Sequence, residues 1–286
     1  APGVIGDVNG TITPSVDGTL MFAPPPADLY VFGRDAVAWV DLIGIGLLMA
    51  VMGAVTVHGG LRVVLARRAP APHKPELQEA YLYSVYERQW HWLQSMVIFG
   101  LLLTGLVIHK PELFPLFQFR WLVLLHNAFA WVLIVNAALA AFYHLASGEI
   151  QQFIPEPRGF FGQAFAQARY YAWGIFHNEP HPIVKTRERK MNPIQQVTYL
   201  GLLNVLLPIQ IVTGVLMWSA GPMPELIAAV GGLRVIAPIH ALCSWLMASF
   251  IIVHVYMTTT GHTPFANIKA MIFGWDDIET QAASGD

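Results

Sequence analysis

The chain has 286 residues, of which 55% are hydrophobic and only 12% charged, with a mean hydropathy of +0.50 and a formal net charge of −2. That composition is too apolar for a soluble domain of this length, and the lack of a long basic tract excludes nucleic acid as a partner. The single cysteine, Cys243, lies in an apolar run, which excludes an intrachain disulfide, a zinc site of several cysteines and a CxxCH haem attachment.

Residues 1–35 are rich in Gly, Pro and Asp, include Pro24-Pro25-Pro26, and read as an extended arm. The chain opens Ala-Pro-Gly without an initiator Met, which a removed signal segment and a trimmed start would both give. Five apolar segments follow, at 37–57, 90–108, 121–143, 197–218 and 236–257, each near the about 20 residues that cross the hydrocarbon. Strand periodicity is absent. The expectation is therefore an all-α integral membrane protein with five transmembrane helices: an extra span within 36–66, a four-helix bundle over 86–260 and a tail at 261–286.

Lysine and arginine set the orientation, because they concentrate in cytoplasmic loops. Twelve lie in the loop between the first two spans, in the loop at 146–193 and in the tail. The opposite side has four, Arg34, Lys110, Arg120 and Arg234. The arm is thus expected outside and the C-terminus in the cytoplasm. Within the 146–193 loop, GFFGQAFAQARYYAWGIF predicts an interfacial helix that anchors at the headgroup level, or lines a quinone entrance. Pro208 is expected to kink the fourth span.

His240 and His254 share one face of the fifth span, fourteen residues and about 21 Å apart. Ionisable groups inside a membrane are costly and mark function, and imidazole is a common axial ligand of haem iron. Packed core histidines are the alternative, and partner histidines decide between the two. His91 opens the second span at the cytoplasmic level of His254. His126 lies about two turns into the third, at the outer level of His240. Depth therefore pairs His91 with His254 and His126 with His240, each ligand donating its Nδ1 proton to a helix carbonyl.

Gly105 in LLLTGL and Gly214 in IVTGVL offer room for haem, as they would for ordinary helix packing. Arg88 is placed for the propionates of the inner haem and Arg120 and Arg234 for those of the outer, or all three as interface anchors. His144 follows His126 by five turns and is expected at the cytoplasmic surface, where it and Glu87 are candidates for a quinone site. Glu87 could pass protons or pair with Arg88. His109, with no carboxylate nearby other than Glu112, is expected to be solvated, as are His58, His73, His177, His181 and His262.

With these residues laid out, the chain resembles the cytochrome b subunits of thiosulfate reductase, respiratory formate dehydrogenase and membrane-bound nickel-iron hydrogenase over about residues 86–260. The resemblance rests on Arg88, His91 and Trp92 with Thr104 and Gly105 in one helix, and on Arg120, His126 and His144 in the next. NPIQQVTYLG at 192–201, most like the thiosulfate reductase type, and the last two histidines complete it. It implies two b-type haems held by His91, His126, His240 and His254. It also implies an electron-transfer and quinone-reactive subunit in the bacterial inner membrane, not catalytic on the primary substrate alone. Electrons would pass between a periplasmic catalytic, iron–sulfur or cytochrome partner and the quinone pool, with quinone near the cytoplasmic haem. The first span and the arm depart from the pattern, and residues 1–34 are expected to dock the partner. Two other readings stand beside this one. A stand-alone oxidase or reductase of a small soluble species such as superoxide would need no docking arm, and a haem-free membrane anchor or transporter would show no low-spin haem absorbance.

Overall fold

A computed structural model describes residues 11–14, 20–23, 38–68, 76–114, 119–183, 185–187 and 189–279. His73, most of the arm and the end of the tail lie outside these residues. In chain order the described elements are β1 (Thr11–Pro14), β2 (Leu20–Ala23), α1 (Ala38–Ala66), β3 (Leu77–Tyr81), α2 (Val85–His109), α3 (Phe119–Ser147), α4 (Phe160–Ala172), α5 (Pro193–Gly201), α6 (Leu207–Trp218), α7 (Pro224–Ala229), α8 (Leu233–Thr258), α9 (Ala266–Phe273) and β4 (Trp275–Glu279). Among the described residues, five helical stretches are long and apolar enough to span a bilayer: Trp39–Leu65, Val85–His109, Phe119–Ser147, Pro193–Trp218 and Leu233–Thr258. The protein is an all-α, multi-pass membrane protein.

Two small antiparallel strand pairs, β1 with β2 and β3 with β4, were not visible in the sequence. The reason is clear for β3, where only Ala80 is buried, so no alternating apolar face marks it as a strand. Tyr81 pairs with Trp275 across this ladder, their rings 5.3 Å apart. Gly274, at φ 90°, turns the chain into β4, and a Cβ there would fall 2.5 Å from the Tyr81 ring.

The fourth span is continuous but not uniform. Between α5 and α6 the segment Leu202–Leu206 is π-helical, just before Pro208. Proline has no N–H for the carbonyl four residues back and its ring crowds that carbonyl. The wider turn is where the sequence predicts a kink, and it is a usual way for a helix to absorb such a residue. The NPIQQ segment has an equally local explanation. Asn192 caps α5, its side chain accepting from Gln195 N while the Gln195 side chain accepts from Asn192 N, and Pro193 occupies the first turn.

The chain divides into two compact units, and each of the five spans contributes to both. The first comprises Ala1–Leu48, Leu93–Ala138 and Leu206–Ala248, the second Met49–Trp92, Leu139–Val205 and Ser249–Asp286. In the first unit Val40 of α1 is fully buried among Ala220, Ile227, Leu233, Ile236 and Ala237. One turn on, Gly44 lies flat against Trp245 of α8, where an added Cβ would stand 2.2 Å from the indole. In the second unit Gly59 packs on Tyr256, His58 donates from Nε2 to Tyr171 O at 2.8 Å and accepts from the Tyr256 hydroxyl at Nδ1, and Arg62 donates to Thr259 O. The extra span is therefore packed against α8 within each unit. Helix α4 turns Phe161 and Phe165 outward, 84% and 73% exposed, and buries Gln167 completely, as a helix lying in the interface would.

Gly44→Ala is expected to lower the unfolding midpoint in detergent, reflecting the about 1–3 kcal/mol that overpacking costs. An unchanged midpoint would mean that α1 does not pack on Trp245.

Candidate functional site

In the first unit two histidines are held in the same way by two different helix pairs. The Thr104 hydroxyl donates to Gly100 O of its own helix at 2.7 Å, and its remaining capacity faces His126 Nδ1 at 2.8 Å. Thr213 repeats this, donating to Ile209 O at 2.7 Å and facing His240 Nδ1 at 3.0 Å. Each hydroxyl has spent its proton, so it can only accept, and Nδ1 must carry the hydrogen in both imidazoles. The sequence predicts helix carbonyls as acceptors; the Leu101 and Gln210 carbonyls do bond to these two rings, and the threonine hydroxyls stand at the same nitrogens.

His240 carries a second, independent constraint. Ser244 donates to His240 O at 2.9 Å, so the Ser244 oxygen accepts from Gln210 Nε2 at 2.9 Å. That orients the amide to donate also to His240 Nε2, at 3.1 Å, as a ring nitrogen with a free lone pair requires. Both lines of bonding give the same tautomer, with Nε2 as the basic atom.

The glycines behave differently from expectation. A Cβ on Gly105 would lie 3.4 Å from His126 Cε1, and one on Gly214 3.3 Å from His240 Cε1. Each Thr-Gly pair thus serves a histidine ring: threonine binds its nitrogen and glycine admits its edge. Arg120 and Arg234 each precede their histidine by six residues, at the starts of α3 and α8, and both are exposed. The unit therefore uses one pattern twice, Thr-Gly on one helix and Arg-x5-His on the next.

The structure brings His126 and His240 together, ring centroids 6.5 Å apart, and in the second unit brings His91 and His254 together at 6.2 Å. An ion between two opposed imidazoles at a metal–nitrogen distance of about 2.0–2.1 Å separates ring centres by roughly 6.3 Å. Among the described residues no group of three or more His, Cys, Asp or Glu could hold a metal. Paired imidazoles at this separation instead fit an iron whose remaining ligands come from a porphyrin. His254 stacks on Phe250, and its Nδ1 lies 3.3 Å from the Tyr199 hydroxyl. Trp92, against the His91 ring, donates from its indole to Met271 O.

The other candidates have changed surroundings. His144 is not at the surface but 6% exposed, donating from Nδ1 to Ala140 O at 2.7 Å, its ring among Trp90, Tyr143 and Phe153. Phe153, from the 146–193 loop, folds back over it. Glu87 does not pair with Arg88. One oxygen accepts from Ser84 N, in a reciprocal cap with the Ser84 hydroxyl, and the other accepts from Lys190 at 2.8 Å. Burial works against the Lys190 ammonium, but Glu87 and Glu149 outweigh it and hold the amine above the ordinary lysine range. Arg88 donates to Ser84 O and Ile272 O and reaches the Tyr81 hydroxyl.

His109 overturns the expectation of a solvated group without a carboxylate. Its Nε2 donates to Asp41 Oδ1 at 2.6 Å, and Lys110 binds Asp41 Oδ2 at 2.7 Å. No spacing rule could have found a partner 68 residues away on the span that seemed dispensable. His58, His177, His181 and His262 likewise have protein partners, at Tyr171 O and the Tyr256 hydroxyl, Trp173 O, Ile183 O and Asp277.

Membrane helices that present two pairs of facing imidazoles define a haem-binding membrane cytochrome. Residues 82–274 match the family described as prokaryotic cytochrome b561, and the chain belongs to that family. It is 28% identical over 238 residues to "Putative cytochrome YdhU" of Escherichia coli (strain K12), covering 83% of this chain and 88% of that protein. No solved structure matches the chain. It is a membrane electron-transfer cytochrome of the b561 type, and the family implies b-type haem.

Thr104→Val or Thr213→Val is expected to speed haem loss at one centre, by the roughly 10–100-fold that loss of such an orienting bond costs in metal affinity. Serine at the same position should restore retention. Equal retention in valine and serine variants would mean that the hydroxyl does not orient the ring.

Proposed function

We propose that this protein is a di-haem cytochrome b that carries electrons between the quinone pool and a periplasmic oxidoreductase partner. His91 and His254 would hold one b-type haem, and His126 and His240 the other. The observation that carries this reading is the pair of imidazole separations, 6.2 and 6.5 Å, on helices of a b-haem family. Haem bound there supplies a one-electron ferric/ferrous couple. The chain's own residues do the rest. Thr104 and Thr213 hold the rings of His126 and His240 with Nε2 basic, and Tyr199 and Phe250 fix the ring of His254.

The residues 86–260 form the four-helix cytochrome domain in this reading, with the span at 36–66 added to it and the tail at 261–286 in the cytoplasm. The arm is periplasmic and docks the partner, an orientation supported by the lysine and arginine count of the loops.

Quinone reacts on the side of His91 and His254. The supports are His144, buried in an aromatic cage in that unit, and the interfacial helix α4 with its outward phenylalanines. Quinone reduction takes up two protons with two electrons, so the site needs a titratable group near the haem edge. His144 is the better candidate for it, because Glu87 is engaged by both its helix cap and Lys190.

Oxidised and reduced visible spectra of the purified protein test the haem assignment. His126→Ala should remove one haem and leave the other spectrally intact, and full occupancy of both would sink the pairing. His144→Leu should slow electron exchange between haem and quinone while both spectra persist; unchanged quinone kinetics would put the site elsewhere.

A further inference from the structure

The cluster of Asp41, His109 and Lys110 in the first unit is not used by the haem-binding residues. Asp41 sits in the first turn of α1 and is only 7% exposed, a costly place for a carboxylate in a membrane span. Among the described residues, Lys110 brings it a permanent cation, on Oδ2. His109 donates its Nε2 proton to Oδ1, which leaves the Nδ1 lone pair open to a proton.

Its position gives this base a purpose. His109 follows Gly105 by four residues and so lies on the same face of α2, one turn further along. Gly105 is the residue against the His126 ring. The cluster therefore stands one helical turn from the imidazole pair His126/His240. The other charged side chains described in this unit are Arg120 at the start of α3, Glu225 in α7 and Arg234 at the start of α8, and all three are exposed.

We propose that His109, backed by Asp41, is a redox-linked protonation site for the haem of this unit. When one electron converts that haem from ferric to ferrous, His109 takes one proton from the adjoining water at Nδ1 and becomes imidazolium, so the charge of the unit does not change. When the electron leaves, the proton returns to water. An electron added in apolar surroundings is poorly screened, and a nearby base that can take up a proton offsets it. The proposal rests on His126 and His240 holding a haem.

The test is a spectroelectrochemical titration of each haem in the purified full-length protein, over about pH 6 to 9. The haem missing from His126→Ala identifies the centre in question. Its midpoint should fall as pH rises, because the proton that accompanies reduction becomes scarcer. The limiting slope is about 59 mV per pH unit, a tenfold change in proton activity for one electron. In His109→Gln, whose amide can still donate to Asp41, that slope should drop to less than half while the other haem keeps its own pH profile. Asp41→Asn should reduce the slope in the same direction. A wild-type midpoint that does not vary with pH, or an unchanged slope in His109→Gln with both haems bound, overturns the proposal. Retention of both haems in His126→Ala would instead overturn the ligand pairing beneath it.

Discussion

The structure depends on how a neutral imidazole is held in a membrane interior. An N–H with no acceptor costs several kcal/mol in hydrocarbon, and helix carbonyls are mostly committed to their own ladder. Threonine resolves this at two places. Its hydroxyl bonds back to a carbonyl one turn earlier, which leaves a pure acceptor aimed sideways from the helix. A ring nitrogen on the neighbouring helix meets that acceptor, and the glycine one residue on lets the ring come close. Ring orientation, tautomer and helix separation are thus fixed by the same two residues. The basic Nε2 that haem iron requires is a consequence of the bond on the other side of the ring.

What the sequence made legible follows from this economy. Span length and the histidine depths are one-dimensional quantities, readable because a helix converts residue number directly into height. Lateral neighbours are not of that kind. Glu87 with Lys190, Asp41 with His109 and His58 with Tyr256 are separated by 103, 68 and 198 residues, and their meeting depends on which helix faces lie together. The Thr-Gly motif shows the limit well. Its place on the helix is evident, yet the sequence leaves room for haem and ordinary helix packing both open, because the ring that fills the space belongs to another helix. His144 failed for a related reason: a helix end reads as solvated unless the following loop is known to fold back over it.

The first span looks optional by the logic of haem binding, since its residues supply no haem ligand in the proposed pairing. Its contacts say otherwise. In the first unit Val40 and Gly44 pack into the cluster around α8, and in the second Gly59, His58 and Arg62 engage Tyr256 and Thr259 just beyond His254. Helix α8 carries one histidine in each unit, so α1 braces the element on which both imidazole pairs depend.

The two imidazole pairs are not equivalent. At His126 and His240 the acceptor is an aliphatic hydroxyl whose proton is already committed, so neither ring can shift its hydrogen without breaking a bond. At His254 the neighbour is the Tyr199 phenol, which can donate or accept, and the contact is longer at 3.3 Å. The first pair is therefore locked in one tautomer by its helices, while the second retains a hydrogen-bonding choice at the ring. Locked imidazoles suit electron transfer, because the rings themselves need not rearrange when charge arrives. One whose neighbour can change its role suits an exchange in which protons move as well. The Tyr199 phenol beside His254 is thus a neighbour that can exchange a proton with the ring, as the Thr104 and Thr213 hydroxyls cannot.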